Sequence, residues 1–363
     1  MTRKQSALLT AVFFAALTLL AAAALTFGGM ASRRYSARNI RGSIPTFKPE
    51  DVANISVSWR DIHTNLVMKD GRWQIEERGG RPASVPKITE LLNSLSSLYP
   101  VKVLQPCTDG ILAELRLIDN DPKQIPGVRV TLKDASGKEL FGILLGKGHF
   151  VRPEPGLPPA QNAEGRYVRI GKKAYLIPKV FENCHPVPGA WVEPLRLGDL
   201  RTALQITASS EKDGKTSTLW SVARNSTSQP FEFGFPAEKK VDSRILSSLA
   251  EKLSKPFSSD FCMEPSVRIR YTLRLRIVCS DGFRYVLHLA DGGEKQDIAS
   301  LEVAFKPESV IEIPGETPER KKQRLQALQS RFDYESRYFN GSAFMISKEI
   351  MPLIAAPPER GAR

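Results

Sequence analysis

Hydrophobic positions in this chain keep three periods, and each predicts a different kind of element. From Ser6 to Ala31 no residue is charged, behind a basic start of Met1-Thr2-Arg3-Lys4-Gln5. At 1.5 Å per helical residue, about twenty such residues cross a hydrocarbon core of roughly 30 Å. The run predicts a membrane anchor over residues 1–34, ending at Arg33-Arg34, with a polar, glycine- and proline-containing linker over 35–48. Small-x-small triplets at Ala22-Ala23-Ala24 and Gly29-Met30-Ala31 would suit a cleavable signal peptide. Such signals have apolar cores of only about 7–15 residues, shorter than this one, so an uncleaved helix is the reading adopted.

Beyond the linker the period falls to two. Ile55, Val57 and Trp59 alternate with polar residues, and residues 66–69 run into Asp70-Gly71, a pair suited to a tight primed turn, before Trp73 and Ile75. After Pro82-Ala83 the period lengthens to that of a helix. Ser84 is a candidate N-cap, and Val85, Ile88, Leu91, Leu92, Leu95 and Leu98 form one apolar face. Period-two pairs return at 128–132 and 140–145, around Asp134-Ala135-Ser136-Gly137, and at 166–170 and 174–177, around Gly171-Lys172-Lys173.

The same succession then recurs. Trp73 is matched by Trp220, Arg81-Pro82-Ala83 by Phe235-Pro236-Ala237, and the helix over 85–98 by residues 241–253. The hairpin about Gly137 is matched by that about Asp281-Gly282, and Arg166-Tyr167 by Arg337-Tyr338. Matches kept in one order predict an α+β fold built as a tandem repeat, each copy laying one helix on an antiparallel sheet. The expected domains are a first repeat over 49–196 and a second over 197–352, with a basic helical insertion near 298–335 and a flexible tail over 353–363. Trp191 is expected to pack at the junction. Inside the insertion Thr317 caps and Pro318 opens a helix running to about Asp333.

Composition narrows the class. The 363 residues carry 52 Lys+Arg against 39 Asp+Glu, a net charge of +13, with 41% hydrophobic residues. A disordered chain, a collagen and a disulfide-stapled miniprotein are excluded. Part of the positive excess flanks the anchor on both sides, at Arg3, Lys4, Arg33, Arg34, Arg38 and Arg41, so charge alone does not orient it. Long domains translocate largely regardless of charge, and the body is read as extracytoplasmic. Another part, Arg320, Lys321, Lys322, Arg324 and Arg331, surrounds a thin stripe of Leu325, Leu328 and Phe332 on the inserted helix. Two readings stay open there: a solvated helix, or contact with an acidic partner patch or an anionic membrane surface, where each basic residue contributes about 1 kcal/mol. Nucleic acid is not expected as a partner, because no aromatic stacking motif accompanies the charge and export would conflict with it.

Candidate chemistry is sparse. His63, His149, His185 and His288 stand apart without a second ligand at chelating spacing, and adjacent residues such as Cys184-His185 point to opposite faces of a strand. The stretch Gly142-Ile143-Leu144-Leu145-Gly146-Lys147-Gly148 approaches a phosphate loop but has a residue too few between its glycines and no hydroxyl after the lysine. It is read as the turn glycines of a hairpin. No catalytic residue, cofactor or metal site is predicted. Cys107, Cys184, Cys262 and Cys279 are candidates for two disulfides, Cys107 to Cys184 and Cys262 to Cys279, if the body faces an oxidising space. Four buried free thiols are the other reading. Cys107 and Cys262 are placed at equivalent points of the two copies.

Leu66-Val67-Met68-Lys69-Asp70-Gly71-Arg72-Trp73-Gln74-Ile75, Pro82-Ala83 ahead of a leucine-rich helix, and Gly165-Arg166-Tyr167-Val168-Arg169 with Ala174-Tyr175-Leu176-Ile177 together resemble a known bacterial family. It is the one catalogued as domain of unknown function 4340, and the resemblance covers residues 51–200 directly and the rest through the repeat. The resemblance implies one N-terminal membrane helix, a periplasmic body, and partners among the subunits of gliding-motility-type ABC transporters, beside which many members are encoded. It implies no catalytic residue. The expected function is therefore a single-pass inner-membrane protein, a non-enzymatic accessory of an ABC-transporter-type envelope assembly. The alternative is a module that binds an envelope polymer or small ligand in the cleft between the repeats. A hydrolase would require a nucleophile and base within reach of each other in a pocket.

Overall fold

A computed structural model describes residues 44–105, 107–119, 124–150, 163–212, 214–236, 239–263 and 269–359. The expected anchor, the linker up to residue 43, Ala237 and residues 360–363 lie outside them. Among the described residues no helix is long and apolar enough to cross a membrane.

The fold is α+β, with two antiparallel sheets and few helices. The first half runs β1 (Asn54–Trp59), β2 (Ile62–Lys69), β3 (Arg72–Ile75), β4 (Arg81–Pro82), α1 (Val85–Ser96), β5 (Lys102–Val103), α2 (Asp109–Glu114), β6 (Val128–Lys133), β7 (Glu139–His149), β8 (Gly165–Ile170) and β9 (Lys173–Ile177). Its strands lie in the order β4-β3-β2-β1-β6-β7-β8-β9-β5. Alternation decides the faces: Ile55 and Val57 on β1 and Val130 and Leu132 on β6 are fully buried, with polar residues between them facing outward. Asp70 and Gly71 both take positive φ, 52° and 70°, as the primed turn requires. On α1 Ile88, Leu91, Leu92 and Leu95, spaced by three and four, are the buried apolar stripe.

The second half runs β10 (Ala203–Lys212), β11 (Lys215–Ala223), β12 (Glu232–Phe235), α3 (Ser243–Ser254), β13 (Ser258–Phe261), β14 (Leu273–Cys279), β15 (Asp281–Ala290), β16 (Asp297–Val310), α4 (Pro318–Phe339), β17 (Ala343–Ile346) and α5 (Ile350–Ala355). The sheet order is β12-β11-β10-β14-β15-β16-β17-β13. Strand for strand this is the order of the first sheet without β4. Registers agree as well. Ile55 faces Leu132 as Ile206 faces Ile277, and Val168 faces Tyr175 as Ala299 faces Phe344. The residues just ahead of the two helices match as well: the amides of Ser84 and Asp242 donate to carbonyls far along the chain, Trp191 O and Pro358 O, at 2.8 Å in both.

Register also corrects several of the correspondences expected from sequence. Trp220 sits on β11 opposite Ala208, and the residue with that place in the first sheet is Thr64, opposite Val57, whereas Trp73 lies on β3. The second hairpin is longer, so two tryptophans on different strands fell into apparent phase. Arg166-Tyr167 belongs to β8, whose counterpart is β16, while Arg337-Tyr338 lies in the last turn of α4. Cys262 corresponds to Leu104 rather than Cys107: its amide donates to Ala343 O at 2.8 Å as that of Leu104 donates to Ala174 O at 2.9 Å. The inserted material falls between Leu301 and Ser342, where β8 and β9 are joined by Gly171-Lys172 alone, and its helix ends at Phe339 rather than near Asp333. Residues 353–359 are not a loose tail. Ile354 is fully buried, its carbonyl accepts from Trp220 Nε1 at 2.8 Å, and Glu359 bridges to Val241.

The chain divides into two compact units. One comprises the described residues up to Trp73 with Val85–Val187, the other Gln74–Ser84 with everything from Pro188 onward. Trp191, expected at a junction, is thus an interior residue of the second unit, 1% exposed. The segment Gln74–Ser84 is held there by polar contacts. Arg78 donates to both oxygens of the buried Asp260 at 2.9 and 2.5 Å, Arg81 stacks on Phe261, and Tyr338 donates to Ala83 O.

Candidate functional site

A cluster of charged side chains in the second unit lies where the inserted helix meets β15. Thr317 accepts from Arg320 N and Pro318 occupies the first turn, so α4 starts where its sequence says it must. About four turns further along, the aromatic side of the helix meets the sheet: Phe332 packs on Phe305, which packs on Phe283, with ring centroids 6.1 and 5.0 Å apart. Asp281, Phe283 and Tyr285 alternate on β15 and therefore share a face. Arg331 reaches all three. Its guanidinium lies 4.2 Å over the Phe283 ring, Nε donates to Glu335 at 2.8 Å, Nη1 to Asp281 at 3.3 Å and Nη2 to the Tyr285 hydroxyl at 2.5 Å. Tyr285 in turn donates to the other Glu335 oxygen at 2.9 Å.

Electrostatics follow from that geometry. Burial pulls the Arg331 guanidinium down, but Tyr285, Glu335 and Asp281 together hold it above its ordinary value. Burial, then the Glu335 carboxylate, pushes the Tyr285 hydroxyl above the usual phenol range, so it stays protonated and keeps donating. A β-carbon at position 198 would collide with Arg331, which is why Gly198 borders the cluster. A pocket of about 400 Å³ opens beside it, lined by Arg196, Gly198, Asp199, Arg331, Tyr334 and Glu335. Each charge here already has a partner, Asp199 taking both Nε and Nη2 of Arg201 and Arg196 lying 3.5 Å from Glu193. Chemically this is a matched charge network that fastens a helix to a sheet. The hydroxyl at its rim, Ser254, donates to Gly198 O at 3.5 Å.

The five basic residues singled out on this helix divide accordingly. Arg331 is the centre of the network. Arg324 is bound to Glu316 at 2.8 and 2.6 Å and Lys321 to Glu312 at 2.7 Å. Arg320 and Lys322 are exposed and, among the described residues, enter no ion pair. The anionic-surface contact expected of all five thus has two uncommitted side chains to offer. Sequence reasoning missed Asp281, Tyr285 and Glu335. The spacing of Arg331 and Glu335 by four on a helix was a legible signal, whereas their meeting with β15 was not.

Cys107, Cys184, Cys262 and Cys279 are free thiols. Cys107 packs against Leu112, Leu117 and Ala174, and the other three are buried. Cys262 follows β13 and Cys279 ends β14, strands separated by β17, β16 and β15. At about 4.8 Å per strand that is roughly 19 Å, against a Cα separation under about 7 Å for a disulfide, so these two do not bond in this fold. Burial pushes the thiols of Cys184 and Cys279 up to about 12, which keeps them protonated and unreactive. Gly142 and Gly146 lie within β7 rather than at a turn, and a β-carbon at Gly146 would run into Leu115 O. Among the described residues no three His, Cys, Asp or Glu side chains gather as metal ligands would. No family model matches the chain, and no curated protein or solved structure matches it either.

Proposed function

We propose that this chain is a membrane-anchored, extracytoplasmic interaction protein of the bacterial envelope, an accessory of an ABC-transporter-type assembly as its resemblance to the domain-of-unknown-function family implies. We also infer that its two units are copies of one module. The observation that carries the interaction role is the arm of the second unit. Where the first unit spends two residues, Gly171 and Lys172, the second lengthens β16 and adds the 22-residue α4. The Arg331 network fastens that arm to β15, while Ile311 and Ile313 at 45% and 52% exposure, with Arg320 and Lys322, remain uncovered on the connection into α4 and on its first turns. A fastened element carrying exposed apolar and uncommitted basic side chains suits an acidic protein patch.

Affinity capture of the full chain from solubilised membranes tests this. Transporter subunits should be recovered with the wild type and lost with the pair Arg320→Glu and Lys322→Glu, which touches no internal contact. Capture of no transporter subunit by the wild type overturns the reading. A C-terminal reporter found on the cytoplasmic side would overturn the topology separately.

A further inference from the structure

The two sheet-packed helices occupy the same register but do not cover their sheets equally. Ile88, Leu91 and Leu95 of α1 have counterparts in Leu246, Leu249 and Leu253 of α3, and all six are buried. The remaining position of the apolar stripe differs. Leu92 is 6% exposed, and in its place α3 has Ala250, which is only half-buried. Three side-chain carbons are missing from the second unit at a point where the first is filled.

The neighbouring connection has changed as well. β2 and β3 are joined by Asp70-Gly71, but β11 and β12 are joined by residues 224–231, which fold back toward α3. Between loop and helix lies a groove of about 560 Å³. Leu200, Ile206, Leu246 and Ala250 form its floor, with Phe231 on one wall and Arg224 above that ring, 4.3 Å from its centroid. Arg224 donates from Nε to Ala203 O at 2.8 Å, from Nη1 to Thr227 O at 3.0 Å and Gln229 O at 3.4 Å, and from Nη2 to Arg201 O at 2.5 Å. Those partners are neutral carbonyls. Among the described residues no carboxylate pairs with Arg224, whereas the adjacent Arg201 is neutralised by Asp199. The carbonyls fix the guanidinium in place without cancelling its charge.

A trough with an apolar floor, polar sides at Thr227, Gln229, Ser243 and Ser247, and one fixed cation that no carboxylate among the described residues pairs, is complementary to an anionic amphiphile. We propose that this groove is a binding site for a single acyl chain with a carboxylate head, a long-chain fatty acid, whose tail lies against Leu246 and Ala250 and whose head meets Arg224. The proposal does not depend on the interaction role of the arm, and failure of the membrane capture leaves it standing.

The test uses the full chain in its membrane. Hexadecanoate carrying a diazirine on its tail is crosslinked by light, and labelled peptides are mapped by mass spectrometry. Label should concentrate in residues 224–231 and 243–250. Unmodified hexadecanoate should compete for it at least about tenfold better than its methyl ester, a difference of about 1.4 kcal/mol. Ala250→Leu restores the side chain that the first unit carries. It should cut the label in those peptides about tenfold, equivalent to about 1.4 kcal/mol, while the unfolding midpoint stays level or rises. Absence of label there, equal competition by acid and ester, or undiminished labelling of Ala250→Leu each overturns the assignment. Arg224→Lys separates head recognition from loop shape, since labelling that persists with a lysine requires only the charge.

Discussion

The first unit closes β8 onto β9 with two residues, and the second places a lengthened strand and a 22-residue helix between the same two partners. The paired registers on either side are unchanged, Val168 with Tyr175 in one and Ala299 with Phe344 in the other. Lengthening a surface connection costs only about 0.6 kcal/mol per doubling, so such a turn is where a sheet tolerates new material without losing its pairing. The insertion then has to secure itself, and Arg331 with Asp281, Tyr285 and Glu335 does so. The other site of divergence, residues 224–231, secures itself by carbonyls around Arg224 and leaves space behind. One strand order thus supports two kinds of addition, one fastened by ion pairs and one held open.

The comparison breaks most readily at Thr64 and Trp220, which share a register position and a role. Thr64 donates to Pro186 O at 2.7 Å and Trp220 to Ile354 O at 2.8 Å, each tying its sheet to a later segment of its own unit. Trp220→Ala should destabilise the second unit by about 3–5 kcal/mol, because it removes both a fully buried indole and a buried donor. Thr64→Ala should cost only about 1 kcal/mol. Urea unfolding followed at each unit's own probe measures both, and equal losses would sink the larger core share assigned to Trp220. A step smaller, Arg331→Met strands Asp281 and Glu335, and with those groups only partly exposed a loss of about 2–3 kcal/mol is expected. Hydrogen exchange should place that loss in α4 and β15, with the first unit unaffected.

The smallest effect concerns acid. Arg324 and Lys321 hold the carboxyls of Glu316 and Glu312 below their ordinary value of 4.5, chiefly through side-chain hydrogen bonds. Their stabilisation of the first turns of α4 is therefore complete above that value and lost as the pH falls below it. Exchange protection at the start of α4, corrected for intrinsic rate, should fall as the pH drops below that value while that of α1 holds steady. Parallel loss in both helices would show a global effect instead.

Much of this fold was legible because short-range rules control it. Asp70-Gly71 announced a primed turn, the spacing of Ile88 through Leu95 announced a buried helical face, and Thr317-Pro318 announced the start of α4. Errors arose where distant partners decide. Two tryptophans on non-equivalent strands looked like a repeat, and Tyr338 looked like strand because Arg166-Tyr167 was one. A tail of small and proline residues gave no sign that Ile354 would close over Trp220. The candidate site was half visible: its basic helix could be read, but Asp281 and Tyr285 lie some fifty residues earlier and meet it through sheet register alone.

By itself the sequence determined an α+β chain with an uncharged apolar run at 6–31, strands and helices of legible period and a basic helix, since periodicity and turn chemistry act over a few residues. Tertiary structure decided which basic side chains remain free, which cysteines stand apart, and where Ala250 leaves a groove. Those outcomes depend on which strands lie side by side, and strand order is set by the summed burial of the whole sheet rather than by any segment of it.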